Sequence, residues 1–210
     1  MKLTLAWLLT LVLVSGARAD LPSVPDTALQ ACLDELAATH EWRTPDAVTD
    51  IECHNRGIRS IAGLEQFPQL QRLSLHRNDI ASWPGPTLPR LQHLNLARNR
   101  LTLLSLDSLP ALEELYAFRN PMDRLTLGEL PQLRLLNANA CRLTQLTYAS
   151  LPALERMYIF NNQLEHIDIH QLPALQYMDA RQNPMSDELY DDMDAMPGTT
   201  ILHDGNEDDW

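Results

Sequence analysis

LPRLQHLNLARNRLTLLSLDS, residues 88–108, is followed without a gap by LPALEELYAFRNPMDRLTLGE, residues 109–129. Half the positions return in step and the other half change completely. Stacking the chain every 21 residues aligns Phe67, Leu88, Leu109, Leu130, Leu151 and Leu172, each followed by proline. A second column holds Leu70, Leu91, Leu112, Leu133, Leu154 and Leu175, and a third holds Leu73, Leu94, Leu115, Leu136, Met157 and Met178. Five residues further on stand Asn78, Asn99, Asn120, Cys141, Asn162 and Asn183. A degenerate earlier copy, VTDIECHNRGI at residues 48–58, aligns at an offset of 22.

Physics accounts for the fixed half. A unit this short cannot bury its own apolar face, so neighbours must stack to share one core. The L-x-L alternation is a short strand with its leucines inward. An asparagine at the turn can bond backbone groups that the bend leaves unpaired, in its own coil and the next. The pattern L-x-x-L-x-L-x-x-N/C-x-L resembles the leucine-rich repeat family over roughly residues 48–185. Cys141 falls in the asparagine ladder, where the family pattern itself admits cysteine, and its expected role is structural.

The far side of each unit alternates as well: LLSL at 103–106, LTL at 125–127, LTY at 146–148 and IDI at 167–169. Each predicts a second, convex strand, and the recurrent proline excludes a helix interior at that corner. Ala117, Ala138 and Ala180 replace leucine at one inward strand position. The expected fold class is an α/β solenoid: a short curved stack of about seven units with parallel concave strands, about 30 Å long.

An open solenoid needs caps. TALQACLDELAATHEW, residues 27–42, spaces Leu29, Cys32, Leu33 and Leu36 as a helix, with Asp26 or Thr27 as its N-cap. This segment resembles the caps of bacterial internalin-like proteins. After Asn183, MSDELYDDMDAMPGTTILHDG departs from the repeat and predicts a short helix and then a closing strand. Of the three cysteines, Cys32 lies on the cap helix and Cys53 at an inward position of the first strand. An exported chain can join them, and a Cys32–Cys53 disulfide is expected, with Cys141 free.

Export is the expectation from the N-terminus. Lys2, an apolar run at residues 3–14 and Ala17-Arg18-Ala19 read as a signal peptide cleaved after Ala19. The organisation is then a signal at 1–19, an N-terminal cap at 20–47, repeats at 48–183, and a C-terminal cap with acidic tail at 184–210. The expected location is the periplasm or the medium. Without its first 19 residues the chain has 14 arginines, no lysine and 28 acids, a formal −14. Nine acids crowd residues 187–210, which contain no arginine. That balance disfavours nucleic acid or an anionic membrane as partner.

The variable strand positions point out of the concave face. Successive units give Arg72, His93, Glu114, Leu135, Arg156, Tyr177; then Ser74, Asn95, Tyr116, Asn137, Tyr158, Asp179; then His76, Ala97, Phe118, Asn139, Phe160, Arg181. A last column holds Arg77, Arg98, Arg119, Ala140, Asn161 and Gln182. Tyr116, Phe118, Tyr158 and Phe160 lie two strands apart with Asn137 and Asn139 between them. Exposed aromatics and arginines dominate binding hot spots, and Arg77, Arg98 and Arg119 stack like charges about 5 Å apart.

The expected binding surface therefore comprises Arg72, Arg77, Arg98, Tyr116, Phe118, Arg119, Asn137, Asn139, Arg156, Tyr158, Phe160, Tyr177 and Arg181. No phosphate loop, nucleophile elbow or paired-cysteine metal motif appears. HIDIH (His166, Asp168, His170) spaces its side chains too widely for one metal, and His54 and His76 near Glu52 form a weak alternative. The resemblance implies a non-catalytic protein-recognition module that needs no cofactor. Its partner is expected to be a protein with an acidic or carboxylate-rich, partly apolar surface, bound by a monomer. The alternative is glycan or cell-envelope polysaccharide binding through Tyr116, Tyr158, Asn137 and Asn139.

Overall fold

A computed structural model describes residues 21–107 and 109–205. The signal at 1–19 and the acids Glu207, Asp208 and Asp209 lie outside the described residues. The strands are β1 Asp50–Glu52, β2 Arg72–Ser74, β3 His93–Asn95, β4 Leu103–Leu106, β5 Glu114–Tyr116 and β6 Arg124–Glu129. β7 Leu135–Asn137, β8 Gln145–Ser150, β9 Arg156–Tyr158, β10 Tyr177–Asp179 and β11 Thr200–Leu202 follow. The concave sheet runs β1-β2-β3-β5-β7-β9-β10-β11, and a convex sheet of three strands runs β4-β6-β8. Every pairing is parallel, with residues 21 or 22 apart in register through the repeats.

The repeated apolar columns make one continuous core. Leu73, Leu94, Leu115, Leu136, Met157 and Met178 are at most 1% exposed, and so are the proline-preceding Phe67, Leu88, Leu130 and Leu151. The asparagine ladder joins the coils. Asn99 donates from Nδ2 to the carbonyls of Leu75 (2.9 Å) and Leu96 (3.0 Å), while its Oδ1 accepts from Ile80 N–H at 3.1 Å. Asn120, Asn162 and Asn183 repeat this pattern on the following coils. Leu75, Leu96 and Ile159 carbonyls each accept from two successive ladder asparagines, and each N–H bound by an asparagine oxygen would cost about 1–3 kcal/mol if left unpaired.

Both ends are covered by non-repeat elements. Helix α1, Thr27–Thr39, buries Leu29, Cys32, Leu33 and Ala37. Asp26 is its N-cap: one carboxylate oxygen accepts from Ala28 and Leu29 N–H, the other from Arg59 and Ser60 N–H, tying the cap to the first turn. Burial of this carboxyl acts to raise its pKa, but the four N–H bonds outweigh it and hold it below the usual value. Gly63, at φ 97°, stands where a Cβ would come within 2.8 Å of Val24 Cγ1. Cys32 and Cys53 are bonded, with Cα atoms 6.0 Å apart. At the other end α2, Asp187–Asp194, is capped by Ser186 and buries Leu189, Tyr190 and Met193, and β11 then joins the concave sheet.

One convex expectation fails. The alternation at 103–106, 125–127 and 146–148 becomes β4, β6 and β8, but 167–169 is not a strand, and Ile169–Gln171 is a 3-10 turn. Asp168 bends the chain there by accepting from His170 N–H, and its own carbonyl is taken by the Tyr148 hydroxyl instead of a strand neighbour. Competition from a local side-chain bond replaces the ladder.

Candidate functional site

The strand columns set the concave surface. Because β5, β7 and β9 pair in register, Tyr116, Asn137 and Tyr158 stand side by side on consecutive strands. Phe118, Asn139 and Phe160 follow two residues later, so each aromatic pair shares a face with the polar pair between. All six are half-buried. Asn139 Nδ2 donates to Asn137 Oδ1 at 2.5 Å, a small amide bridge between two aromatic rungs about 10 Å apart. Tyr158 continues into Tyr177, their ring centroids 5.5 Å apart at 45°.

One tyrosine of the patch is held as a donor. Tyr116 Oη donates to Glu114 Oε2 at 3.0 Å, and burial followed by this bond raises its pKa. Burial, with Asp179 and Tyr158 nearby, also raises that of Tyr177. Beside Tyr116 a shallow cavity of about 250 Å³ is lined by Glu52, Arg72, Ser74, His93 and Glu114 among others. His93 Nδ1 lies 3.2 Å from Glu114 Oε2, and among the described residues it has no hydrogen-bond partner. His93, Glu114 and Ser74 were not among the expected site residues. Their columns were legible, but single polar residues in a variable column carry no signal of a shared hollow.

The arginines divide into two kinds. Arg181 is committed: it binds Asp179 through two parallel bonds, 2.9 Å from Nε to Oδ1 and 2.8 Å from Nη2 to Oδ2. That bond raises its pKa further, and Asp179 itself is 4% exposed. Arg72 lies 3.6 Å from Asp50. Arg156 is exposed with no ion pair, and so are Arg77, Arg98 and Arg119, among the described residues.

The last column is not a strand column. Arg77, Arg98, Arg119, Ala140, Asn161 and Gln182 all adopt left-handed backbone, with φ between 51° and 58°, as does Asn55 in the first unit. They form the turn that delivers each ladder asparagine into the core. Three other expected surface positions are buried: Ala97, Leu135 and Asp179.

Two histidines meet on the first two coils. His54 and His76 meet edge to face at 5.8 Å, and His54 Nε2 bonds Ser74 Oγ at 2.7 Å. Burial, followed by the charges of His54, Arg77 and Arg98, lowers the His76 pKa. Among the described residues no group of three or more His, Cys, Asp or Glu is placed to hold a metal ion. Cys141 is half-buried in the ladder; that burial pushes its thiol up to about 11, far from a reactive thiolate. Among the described residues no helix is long and apolar enough to cross a membrane.

The family described as Leucine Rich repeats (2 copies) matches residues 68–111. YopM from Yersinia enterocolitica is 25% identical over 87% of this chain and 42% of its own, with a TM-score of 0.54. Internalin C2 from Listeria monocytogenes is 16% identical over 86% of this chain and 94% of its own, with a TM-score of 0.50. The functional domain of InlJ from Listeria monocytogenes is 17% identical over 86% of this chain and 60% of its own, with a TM-score of 0.33. This chain thus spans under two thirds of both the InlJ functional domain and the YopM chain. No curated protein matches it in sequence.

Proposed function

We propose that this chain, a bacterial-type leucine-rich-repeat protein by its motifs, fold and relatives, is an exported, non-catalytic module that recognises another protein through its concave face. The repeats at 48–183 form the recognition body, closed by the segments at 20–47 and 184–210. The carrying observation is the pair of aromatic rungs, Tyr116 with Phe118 and Tyr158 with Phe160, at and just beyond the ends of β5 and β9 on either side of an amide pair. Half-exposed aromatics grouped on a rigid sheet supply large contact area at small entropic cost. Arg156 and the unpaired turn arginines favour a partner with carboxylates beside its apolar contact. The module works as a monomer in the periplasm or after release.

The test compares affinity capture from the native envelope and culture medium by wild type and by a Tyr116→Ala, Tyr158→Ala variant of verified folding. A protein retained by the first and lost by the second supports the reading. Equal capture by both removes the aromatic rungs from it. If the variant instead loses a polysaccharide, held equally at low and high salt, the ligand is a glycan; an arginine-led protein contact weakens as salt rises.

A further inference from the structure

We propose that Arg77, Arg98 and Arg119 form a docking strip for an acidic α-helix of the partner, with carboxylates recurring at i, i+3 or i+4, and i+7. The strip lies on the turns beside the strands, not among the aromatics. It rests on the reading above only in taking the ligand to be a protein.

The backbone makes these arginines unexpected. Every residue of their column has φ between 51° and 58°, a region asparagine enters easily and arginine does not. Asn55 and Asn161 show the locally favoured choice in the same column. Three successive units use arginine there instead. The choice also stacks three guanidinium groups on neighbouring coils about 4.8 Å apart. Arg77 N–H donates to Ala97 carbonyl, Arg98 N–H to Phe118 carbonyl and Arg119 N–H to Asn139 carbonyl, so their main chains are locked to consecutive coils. Among the described residues no carboxylate pairs with any of the three side chains. Two residues beyond Arg98, Arg100 is neutralised by Asp79 at 2.8 Å, so this edge of the solenoid supplies acids where it needs them. Positions that break both a backbone preference and a charge preference are where function is expected.

Spacing selects the partner's conformation. Three rungs span about 10 Å at the inter-strand distance. A helix places residues i and i+7 about 10.5 Å apart on one face. An extended strand places i and i+4 about 13 Å apart, and its side chains drift out of step with the rungs. The planar arginine forks then meet successive carboxylates two bonds at a time.

The experiment measures binding of two synthetic peptides with the same three glutamates. In one, a lactam-stapled helix, the glutamates stand at i, i+4 and i+7. In the other, kept extended by prolines, they stand at i, i+2 and i+4. The purified chain is compared as wild type, as Arg77→Asn/Arg98→Asn/Arg119→Asn, and as Tyr116→Ala/Tyr158→Ala. Wild type binds the helix at least about tenfold more tightly than the extended peptide, an electrostatic preference that fades with salt. The asparagine variant loses that preference while its unfolding midpoint stays equal or rises. The tyrosine variant keeps it. Equal affinity for both peptides, binding that survives in the asparagine variant, or a lowered unfolding midpoint in that variant would each overturn the strip. None of these outcomes touches the capture experiment, which tests the aromatic rungs alone.

Discussion

Arg98 and Asn99 are neighbours in the chain and opposites in the structure. Asn99 is 7% exposed, and its amide binds two carbonyls and one N–H on two coils. Arg98 is exposed, sits in left-handed backbone and pairs with no carboxylate among the described residues. The same turn makes both. Delivering the asparagine inward forces the preceding residue into positive φ and out toward solvent, whatever its side chain. One column is therefore constrained by buried hydrogen bonds. Its neighbour, constrained only in backbone, is free to be spent on recognition.

The comparison can be broken first at the ladder. Asn99→Ala leaves the Ile80 N–H buried without a partner and removes one of the two amide bonds on each of the carbonyls of Leu75 and Leu96, which Asn78 and Asn120 still hold, and should cost about 4 kcal/mol. Urea unfolding measures it; a loss below about 1 kcal/mol would mean water replaces the amide and the ladder is not a stabilising device. The next effect lies where the ladder has no asparagine. In the first unit Arg56 occupies that position, and the Cys32–Cys53 bond, across 21 residues, anchors the coil instead. Replacing both cysteines with serine should cost about 3 kcal/mol. An unchanged denaturation midpoint would show that α1 packing and Asp26 suffice without the bond.

The smallest effect sharpens the contrast. At Cys141 the ladder lacks an amide, and the thiol makes two 3.5 Å contacts, to the carbonyls of Ala117 and Asn139. In the other units the ladder oxygen accepts from an N–H 19 or 20 residues earlier. The corresponding Met122 N–H has no acceptor among the described residues. Cys141→Asn should supply one and stabilise the chain by about 1 kcal/mol. Destabilisation would show that the coil has adapted its packing to sulfur.

Much of this molecule was legible in its repeat. Residues at matching positions of a 21-residue period must meet across coils, so the core columns, the parallel register and the aromatic rungs follow from counting. The caps and the disulfide followed from departures from that count. Other features resisted because their causes are local or conformational. Asp168 redirected one convex strand by a side-chain bond that alternation does not reveal. The left-handed column holds Asn, Arg, Ala and Gln, a mixture with no compositional signature. The Arg181–Asp179 pair was in principle readable from its i, i+2 spacing on one strand, since alternate residues share a face.

The sequence by itself determined the solenoid, its period, its ends and its displayed columns, because a unit too short for its own core can be stable only by stacking on copies of itself. Tertiary structure alone decided which displayed side chains are free. Arg181 and Arg77 both belong to the displayed columns, and in the chain only the spacing of Asp179 hints at their difference. One is neutralised by a buried carboxylate, and the other has no carboxylate partner among the described residues on its left-handed turn, because charge pairing depends on where side chains end in space.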